Sequence, residues 1–175
     1  MQTSLNIKEP GLNVFPLGVE RYVVNGGGLT GVQILPDDEI EIINDEGNQI
    51  CEITVFNKDG KSDLGILSLK ESKNSSEIKK ILFNKNETSL QALFQLKKRN
   101  LDIEKSKSAI LFDKDTVAKE TIKLKSKDKC YCIISAPGNA MLVHEQNPST
   151  DLTILVKRAE KKQDKEFSVI PDPVY

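Results

Sequence analysis

Three cysteines and a single histidine are the side chains of this sequence best suited to nucleophilic catalysis or metal binding. Cys130 and Cys132 are two residues apart, a spacing that places both thiols on the same face of a strand. No further Cys/His pair completes a zinc-binding spacing around them, and His144 has no nucleophile motif beside it. We therefore expect no catalytic residue and no metal site, and we interpret the thiols, including Cys51, as reduced, buried small hydrophobic side chains.

Acidic side chains are the second candidate for chemistry, because paired carboxylates with different pKa values can act as acid and base. They cluster at residues 37–39 and 45–46. Both clusters fall in turns or on the solvent-facing side of a predicted strand pair, which favours solvation over catalysis. A calcium site is not indicated either, since the chain lacks the ladder of oxygen ligands around a fixed glycine.

A run of glycines indicates a third kind of site, in which a ligand approaches the backbone closely. A helix would follow a phosphate-binding glycine loop, whereas β-branched residues and Pro36 follow here. Any small-molecule or partner site is predicted to combine this run with the acidic turn before Gln49, which would suit an amine or a basic partner surface. The alternative is that the glycines only relieve crowding at a corner of the fold. The candidate ligand-binding residues are Gly26, Gly27, Gly28, Gly31, Asp45, Glu46 and Gln49.

Alternating apolar and polar residues predict the strands that must position these groups. The clearest pattern is a β-hairpin over residues 38–56, in which isoleucines alternate with glutamates on both sides of a turn rich in Asn, Asp and Gly. Glu52 and Thr54 are predicted to lie on its solvent-facing side. A second hairpin is predicted over residues 121–135, and the apolar run at residues 151–157 indicates a central or well-covered strand.

Two helices are predicted between the strand-rich parts of the chain. They cover residues 75–83 and 88–99. The candidate N-caps are Ser75 or Ser76 for the first helix and Thr88 for the second. Gln91, three residues after Thr88, completes a capping box, and Asn100 suits the left-handed conformation that ends a helix. The predicted apolar stripes comprise Ile78, Ile81 and Leu82 in the first helix and Leu90, Leu93 and Phe94 in the second.

Length and composition are those of one globular domain, with 175 residues, 38% hydrophobic residues and a formal net charge of −1. The sequence lacks the clustered basic residues of a nucleic-acid-binding protein, an apolar run of about 20 residues that could cross a bilayer, and a secretory signal. We therefore expect a cytoplasmic protein that contacts neither nucleic acid nor membrane. Residues 1–160 are predicted to form a single β-rich domain, and residues 161–175 a charged, proline-containing tail or interdomain linker.

The order of the predicted elements, strands then helices then strands, indicates the fold class. We predict an α+β, β-rich fold, with a compact barrel or sandwich of mostly antiparallel strands and two peripheral helices.

Several stretches of the sequence resemble a known family. Residues 22–32 read Tyr-Val-Val-Asn-Gly-Gly-Gly-Leu-Thr-Gly-Val, and residues 36–53 combine a proline-led turn, a strand, an acidic-Gly-x-Gln turn and a second strand. Both resemble domains of the urea carboxylase-associated family. The whole chain is similar to the N-terminal segment of long bacterial aminomethyltransferase proteins of the glycine-cleavage T-protein family. In those proteins a Pro-Asp-Pro stretch such as residues 171–173 leads into the next domain.

The resemblance implies a non-catalytic accessory domain, which serves assembly or substrate delivery for a folate-dependent aminomethyltransferase. It implies no enzyme activity or cofactor in this chain alone, and tetrahydrofolate only if an aminomethyltransferase domain is joined to it. The implied partners are a C-terminal aminomethyltransferase region in cis and a second copy of the chain. Two alternatives rest on the residues themselves: an independent small-molecule-binding β domain, and a small enzyme that uses a Cys or a carboxylate.

Overall fold

The computed structural model describes part of the chain. The described residues are 5–7, 14–15, 18–73, 75–138 and 148–159, with side chains from residue 18 onward. His144 and the predicted tail lie outside them. The strands are β1 (Leu5–Ile7), β2 (Val14–Phe15), β3 (Val19–Val24), β4 (Leu29–Ile34), β5 (Glu39–Asn44), β6 (Cys51–Asn57), β7 (Ser108–Phe112), β8 (Glu120–Lys125), β9 (Cys130–Ser135) and β10 (Leu152–Lys157). The helices are α1 (Glu77–Leu82), α2 (Glu87–Lys98) and a 3₁₀ helix at Leu64–Leu67.

The strands form two five-stranded sheets that pack face to face. Sheet A has the order β1-β4-β9-β6-β7, and sheet B the order β2-β3-β10-β5-β8. Every pairing is antiparallel except that of β1 with β4, and β1 and β2 are only three and two residues long. The predicted β-rich α+β class is confirmed. Of the two predicted shapes it is the sandwich, since the sheets do not close into a barrel.

The two predicted hairpins are wrong, although all four of their strands are present. β5 lies in sheet B and β6 in sheet A, so the turn between them carries the chain from one sheet to the other. β8 and β9 are divided between the sheets in the same way, as are β3 and β4. Alternation and turn residues indicate that a strand ends and the chain reverses. They do not specify whether the next strand pairs with the last one or faces it across the core.

An apolar core fills the space between the two sheets. Sheet B contributes alternate residues such as Ile40, Ile42 and Ile154, and sheet A contributes Ile53 and Val55. The apolar strand β10 lies at the centre of sheet B, between β3 and β5, as its sequence predicted. Each fully buried side chain of this kind contributes roughly 1.5–3 kcal/mol to folding.

The two helices cover the outer face of sheet A and create a second apolar layer. Phe56 of β6 and Ile133 of β9 point outward from the sheet and pack with Leu82 of α1 and Leu96 of α2. β6 and β9 are therefore buried on both faces. The predicted solvent-facing side of β6 is wrong for this reason, because the helices occupy the place that solvent was expected to take.

Helix α2 begins one residue earlier than its sequence predicted, and its N-cap lies two residues before the predicted cap. Its N-cap is Asn86, whose side-chain oxygen accepts a hydrogen bond of 2.7 Å from the Ser89 amide, so the predicted capping box at Thr88 is wrong. The predicted apolar stripe is also turned: the side chains of Leu90 and Phe94 are exposed. The buried positions on this helix are Ser89, Ala92 and Leu96. Asn100 adopts the predicted left-handed conformation, with a φ of 58°.

An ion cluster ties the end of β10 to both sheets. Arg158 follows β10 and donates hydrogen bonds of 2.8 Å to Glu20 and 2.6 Å to Asp38. Glu20 lies in β3 of sheet B, and Asp38 directly precedes β5 of the same sheet. The same guanidinium donates to the Gln33 carbonyl in β4 of sheet A at 3.2 Å. Asp38 is fully buried and also accepts a hydrogen bond from the Leu35 amide. We call this end of the sandwich the Arg158 end.

We expect Asn86→Ala to lower the free energy of unfolding by about 1 kcal/mol, because the Ser89 amide loses its acceptor. Thr88→Ala is the matched control at an exposed position inside the same first turn, and it should be neutral or slightly stabilising because alanine favours helix. Denaturant unfolding of the three proteins measures both effects. A larger loss for Thr88→Ala than for Asn86→Ala would contradict this helix start.

Candidate functional site

The two turns that the sequence singled out meet at one end of the sandwich, which we call the Gln49 end. In the glycine turn, the Gly27 amide donates a hydrogen bond of 2.6 Å to the Ala136 carbonyl. In the acidic turn, the Gln49 side chain donates a hydrogen bond of 2.9 Å to the carbonyl of Pro137, the next residue along. Both turns therefore bind the segment that follows β9, so the structure brings the glycine turn and the acidic turn into one region, whereas Gly31 lies inside β4 against Tyr131.

The Gln49 side chain connects neighbouring segments at this end, and its amide group is fully hydrogen-bonded to them. Its side-chain nitrogen donates to the carbonyls of Ile50 and Pro137, and its oxygen accepts a hydrogen bond of 2.8 Å from the Thr150 amide. The Asn44 side chain donates to the Gln49 carbonyl at 2.8 Å. Because Gln49 is only 2% exposed, its donors and its acceptor serve the contact between the sheets.

Crowding accounts for two of the glycines. A Cβ atom added at Gly26 would lie 2.5 Å from the Ser149 carbonyl oxygen, and one added at Gly31 would collide with the Tyr131 hydroxyl. Gly27 differs, because a Cβ atom there meets only the Ser149 hydroxyl at 3.7 Å, and what it requires is its left-handed φ of 81°. The alternative of relieved crowding therefore explains Gly26 and Gly31 but does not explain Gly27.

The Gln49 end contains polar atoms without a hydrogen-bond partner and several carboxylates, which are the groups there that could interact with a ligand. Among the described residues, Asn44 Oδ1 and Thr150 Oγ1 are buried without a hydrogen-bond partner. Asp45 accepts a hydrogen bond of 2.6 Å from the Thr153 hydroxyl and pairs with Lys119 at 3.3 Å. The adjacent acidic residues Glu46 and Asp151 are exposed, and Asp151 Oδ1 accepts a hydrogen bond of 2.8 Å from the Gly26 amide.

A pair of thiols lies at the opposite, Arg158 end. Cys130 and Cys132 point inward from β9, and their sulfur atoms are 3.8 Å apart. The hydroxyl of Ser126 lies 3.6 Å from the Cys130 sulfur. The hydrogen bond from Cys132 lowers the pKa of the Cys130 thiol, and the same contact, together with burial, raises the pKa of the Cys132 thiol. All three cysteines are free and buried, as predicted, and burial raises the pKa of Cys51.

A buried carboxyl group, Glu52, was missed by the sequence analysis. Its side chain is 1% exposed beneath α1, where Oε2 accepts a hydrogen bond of 2.9 Å from the Glu77 amide and Oε1 has no partner. Burial raises the pKa of this carboxyl group, against the opposing effects of the Glu77 amide and the Ser108 hydroxyl. The sequence did contain a signal for this burial, because two amphipathic helices must pack their apolar faces against a sheet. A strand of that sheet is then buried on both faces, even if its residues alternate.

The described residues hold neither a group of three or more metal-ligating side chains nor a helix long and apolar enough to cross a membrane. The groups with shifted pKa values include a carboxyl group and thiols, which are the functional groups named in the small-enzyme alternative.

Comparison with known proteins identifies one informative relative. Over 169 residues, which are 96% of this chain, the sequence is 32% identical to the trimethylamine-oxide aldolase of Ruegeria pomeroyi. The chain spans about a fifth of the length of that relative, since the matched part is 21% of it. No family model matches the chain.

This match corrects the family resemblance and what it implied. The relative is named as an aldolase and not as an aminomethyltransferase or a urea carboxylase-associated protein. The interpretation as a non-catalytic accessory domain is wrong for the same reason, because the match is to a named enzyme, and so is the expectation of no enzyme activity. An aminomethyltransferase region as partner has no support. The small-enzyme alternative agrees better with an enzyme relative.

We expect Gly26→Ala to lower the free energy of unfolding by about 1–3 kcal/mol, the usual cost of overpacking, because its methyl group would press on the Ser149 carbonyl. Gly138→Ala is the matched control in the neighbouring segment, where an added Cβ atom makes only an ordinary contact of 3.5 Å with the Ser149 hydroxyl. Thermal and denaturant unfolding measure the difference. Equal stability of the two variants would show that Gly26 is not held against this loop.

We expect Glu52→Gln to raise the free energy of unfolding at neutral pH. A carboxyl pKa raised above the usual 4.5 means that the folded protein binds more protons than the unfolded chain between these two values. Stability therefore falls as pH rises through that window and stays lower above it. Glutamine keeps the acceptor for the Glu77 amide and cannot ionise, so the variant should lose this fall.

The measurement is denaturant unfolding of wild type and Glu52→Gln across the acidic and neutral range. Glu104→Gln, at an exposed position, is the control and should follow the wild-type profile. If Glu52→Gln also follows the wild-type profile, the burial of Glu52 does not control its ionisation.

Proposed function

We propose that this chain is a constituent region of an enzyme that cleaves trimethylamine oxide. The observation that supports the proposal is the 32% identity to a trimethylamine-oxide aldolase over 96% of the chain. A match of this extent covers nearly the whole sandwich and its helices, and not a single turn or strand motif. We propose that the chain has the same role in its own enzyme as the matched fifth of the relative has in the aldolase.

The chemistry of the proposed reaction follows from the atoms of the substrate. An aldolase-type cleavage releases a carbonyl compound, and methyl groups are the only carbon atoms of trimethylamine oxide. The carbonyl product is therefore formaldehyde, and the balance of atoms leaves dimethylamine. In this cleavage a methyl carbon is oxidised while the nitrogen–oxygen unit is reduced, so the reaction needs no external oxidant. One hydrogen is lost from the methyl carbon as a proton and one proton is gained by the dimethylamine nitrogen, so the two changes balance, and moving this proton is the work of acid and base groups.

The Gln49 end is where we expect this chain to meet the substrate or the remainder of the enzyme. Of the predicted residues, Gly27, Asp45 and Glu46 remain ligand-binding candidates, because the Gln49 side chain is bonded within the fold and crowding explains Gly26 and Gly31. The carboxylates favour the positively charged nitrogen of an amine oxide by Coulomb attraction. Asp151, beside the glycine turn, adds a further negative charge.

A chimera tests the proposal in a complete enzyme. We expect the Ruegeria pomeroyi aldolase to retain cleavage of trimethylamine oxide when its matched segment is replaced by this chain. Formaldehyde and dimethylamine should appear in equal amounts, and both are measured. The unmodified relative is the positive control, and the relative without the segment is the negative control.

Asp151→Asn in the chimera tests the Gln49 end, because asparagine keeps the oxygen that accepts from the Gly26 amide and removes only the charge. It should raise KM for trimethylamine oxide with little change in stability. A chimera that folds with the melting temperature of the relative but cleaves no substrate would disprove the proposed function. An unchanged KM for Asp151→Asn would remove the Gln49 end from it.

A further inference from the structure

The thiol pair at the Arg158 end has a geometry that none of the roles above requires. Cys130 and Cys132 face the same side of β9 with their sulfur atoms 3.8 Å apart, and they are 3% and 0% exposed. Cys51, the third thiol, lies on β6 and is equally buried. The molecule therefore contains a dithiol and, as an internal comparison, a buried thiol on another strand.

Strand geometry disfavours a disulfide between the two paired thiols. Residues two apart in a strand have Cα atoms roughly 6.5–7 Å apart, at or beyond the upper limit of about 6.8 Å for disulfides. The sulfur atoms would also have to close from 3.8 Å to a bond of about 2.05 Å. A bridge of one atom between the sulfurs demands much less closure, so the pair is better shaped to hold a small electrophile than to oxidise.

The two thiols also differ in their readiness to react. The thiolate is the nucleophilic form of cysteine, and the contact with Cys132 lowers the pKa of Cys130. The same contact raises the pKa of Cys132, which therefore keeps its proton. The Ser126 hydroxyl, 3.6 Å from the Cys130 sulfur, is a second hydrogen-bonding group at the reacting atom. The arrangement supplies a nucleophile beside a proton donor.

We propose that Cys130 and Cys132 form a capture site for formaldehyde, a one-carbon aldehyde, and close around it as a methylene bridge. Its source in the cell rests on the proposed function, in which formaldehyde is the carbonyl product. In the first step the Cys130 sulfur forms a bond to the carbonyl carbon, and the oxygen takes a proton from Cys132. In the second step the Cys132 sulfur displaces that oxygen, which leaves as water with the proton that Cys130 gave up. Two thiols and one formaldehyde thus yield one S–CH₂–S bridge and one water, without an oxidant.

Access to the pair is through the turn that precedes β9. Cys130 is the first residue of the strand, and the turn residues 127–129 before it are exposed. Local opening of an exposed turn costs far less free energy than global unfolding. Formaldehyde has only two heavy atoms, so a brief opening of this turn is sufficient for entry. Cys51 lies in a strand at the Gln49 end and has no thiol within reach among its described contacts.

The test uses the full chain and isotopically labelled formaldehyde added from outside. After excess aldehyde is removed and the protein denatured, thiol titration should show one free thiol remaining of the three. Both paired thiols lie on the tryptic peptide that begins at Cys130. That peptide should gain the mass of one labelled carbon with both sulfurs blocked. Cys51→Ser should form the same bridge, whereas Cys132→Ser should form only an adduct that dilution reverses.

Three titratable thiols after treatment, or label found only on lysine amines, would overturn the proposal. Loss of Cys51 at the same rate as the pair would also overturn it, because it would show general exposure of thiols and no preorganised site. The wild-type peptide map needs no variant, so a failure of Cys132→Ser to fold leaves the result intact. Because the aldehyde is added, the outcome does not depend on cleavage of trimethylamine oxide, which the chimera tests separately.

Discussion

The structure depends on polar contacts that hold the two sheets together at both ends. Each connection that crosses from one sheet to the other removes backbone groups from the strand ladders, and buried backbone groups require other partners. At one end the Gln49 amide serves the Pro137 carbonyl and the Thr150 amide. At the other end Arg158 and Asp38 serve backbone groups that belong to or follow β4. The apolar core supplies most of the free energy of folding, whereas these contacts determine how the sheets are oriented over it.

Much of this fold could be predicted from local patterns, and the part that could not has a common cause. The positions of β5, β6 and β10 and the alternation of Ile40 and Ile42 follow from side-chain periodicity, which is a property of neighbouring residues. Which sheet a strand joins is decided by contacts between distant segments. The same alternating pattern therefore occurs in consecutive strands that face each other across the core, although it was taken to predict strands that pair. Asn86 competed with Thr88 as a helix cap, and the tertiary contact of Ser89 with the Ile81 carbonyl favours the earlier start. The two predicted turns lie together, whereas Gly31 lies within β4. Glu52 required knowledge of which sheet face the helices cover.

Among the buried polar groups, those whose hydrogen-bonding atoms are all used have a structural role, and a carboxyl group with an unused atom has a shifted pKa value. Gln49 is buried with its hydrogen-bonding groups satisfied, and it connects a segment of sheet A with a segment of sheet B. Glu52 is buried with one carboxyl oxygen unpartnered, and its pKa is raised. In the buried thiol pair, the contact between the two sulfurs lowers the pKa of Cys130. The family resemblance failed for a related reason. It rested on turns and strands, which report how the chain is folded and carry no information about the bond that an enzyme breaks.

The position of β10 in sheet B has a consequence for how the polypeptide acquires its structure. β10 pairs along six positions with β3 on one side and along six with β5 on the other, yet it is the last of the described strands. During synthesis, β3 and β5 leave the ribosome long before their common partner, and strands without partners invite pairing with other chains. Contacts between such distant segments also slow folding. The nascent polypeptide is therefore most exposed to aggregation in the interval before residues 152–157 emerge, and chaperone demand should peak there.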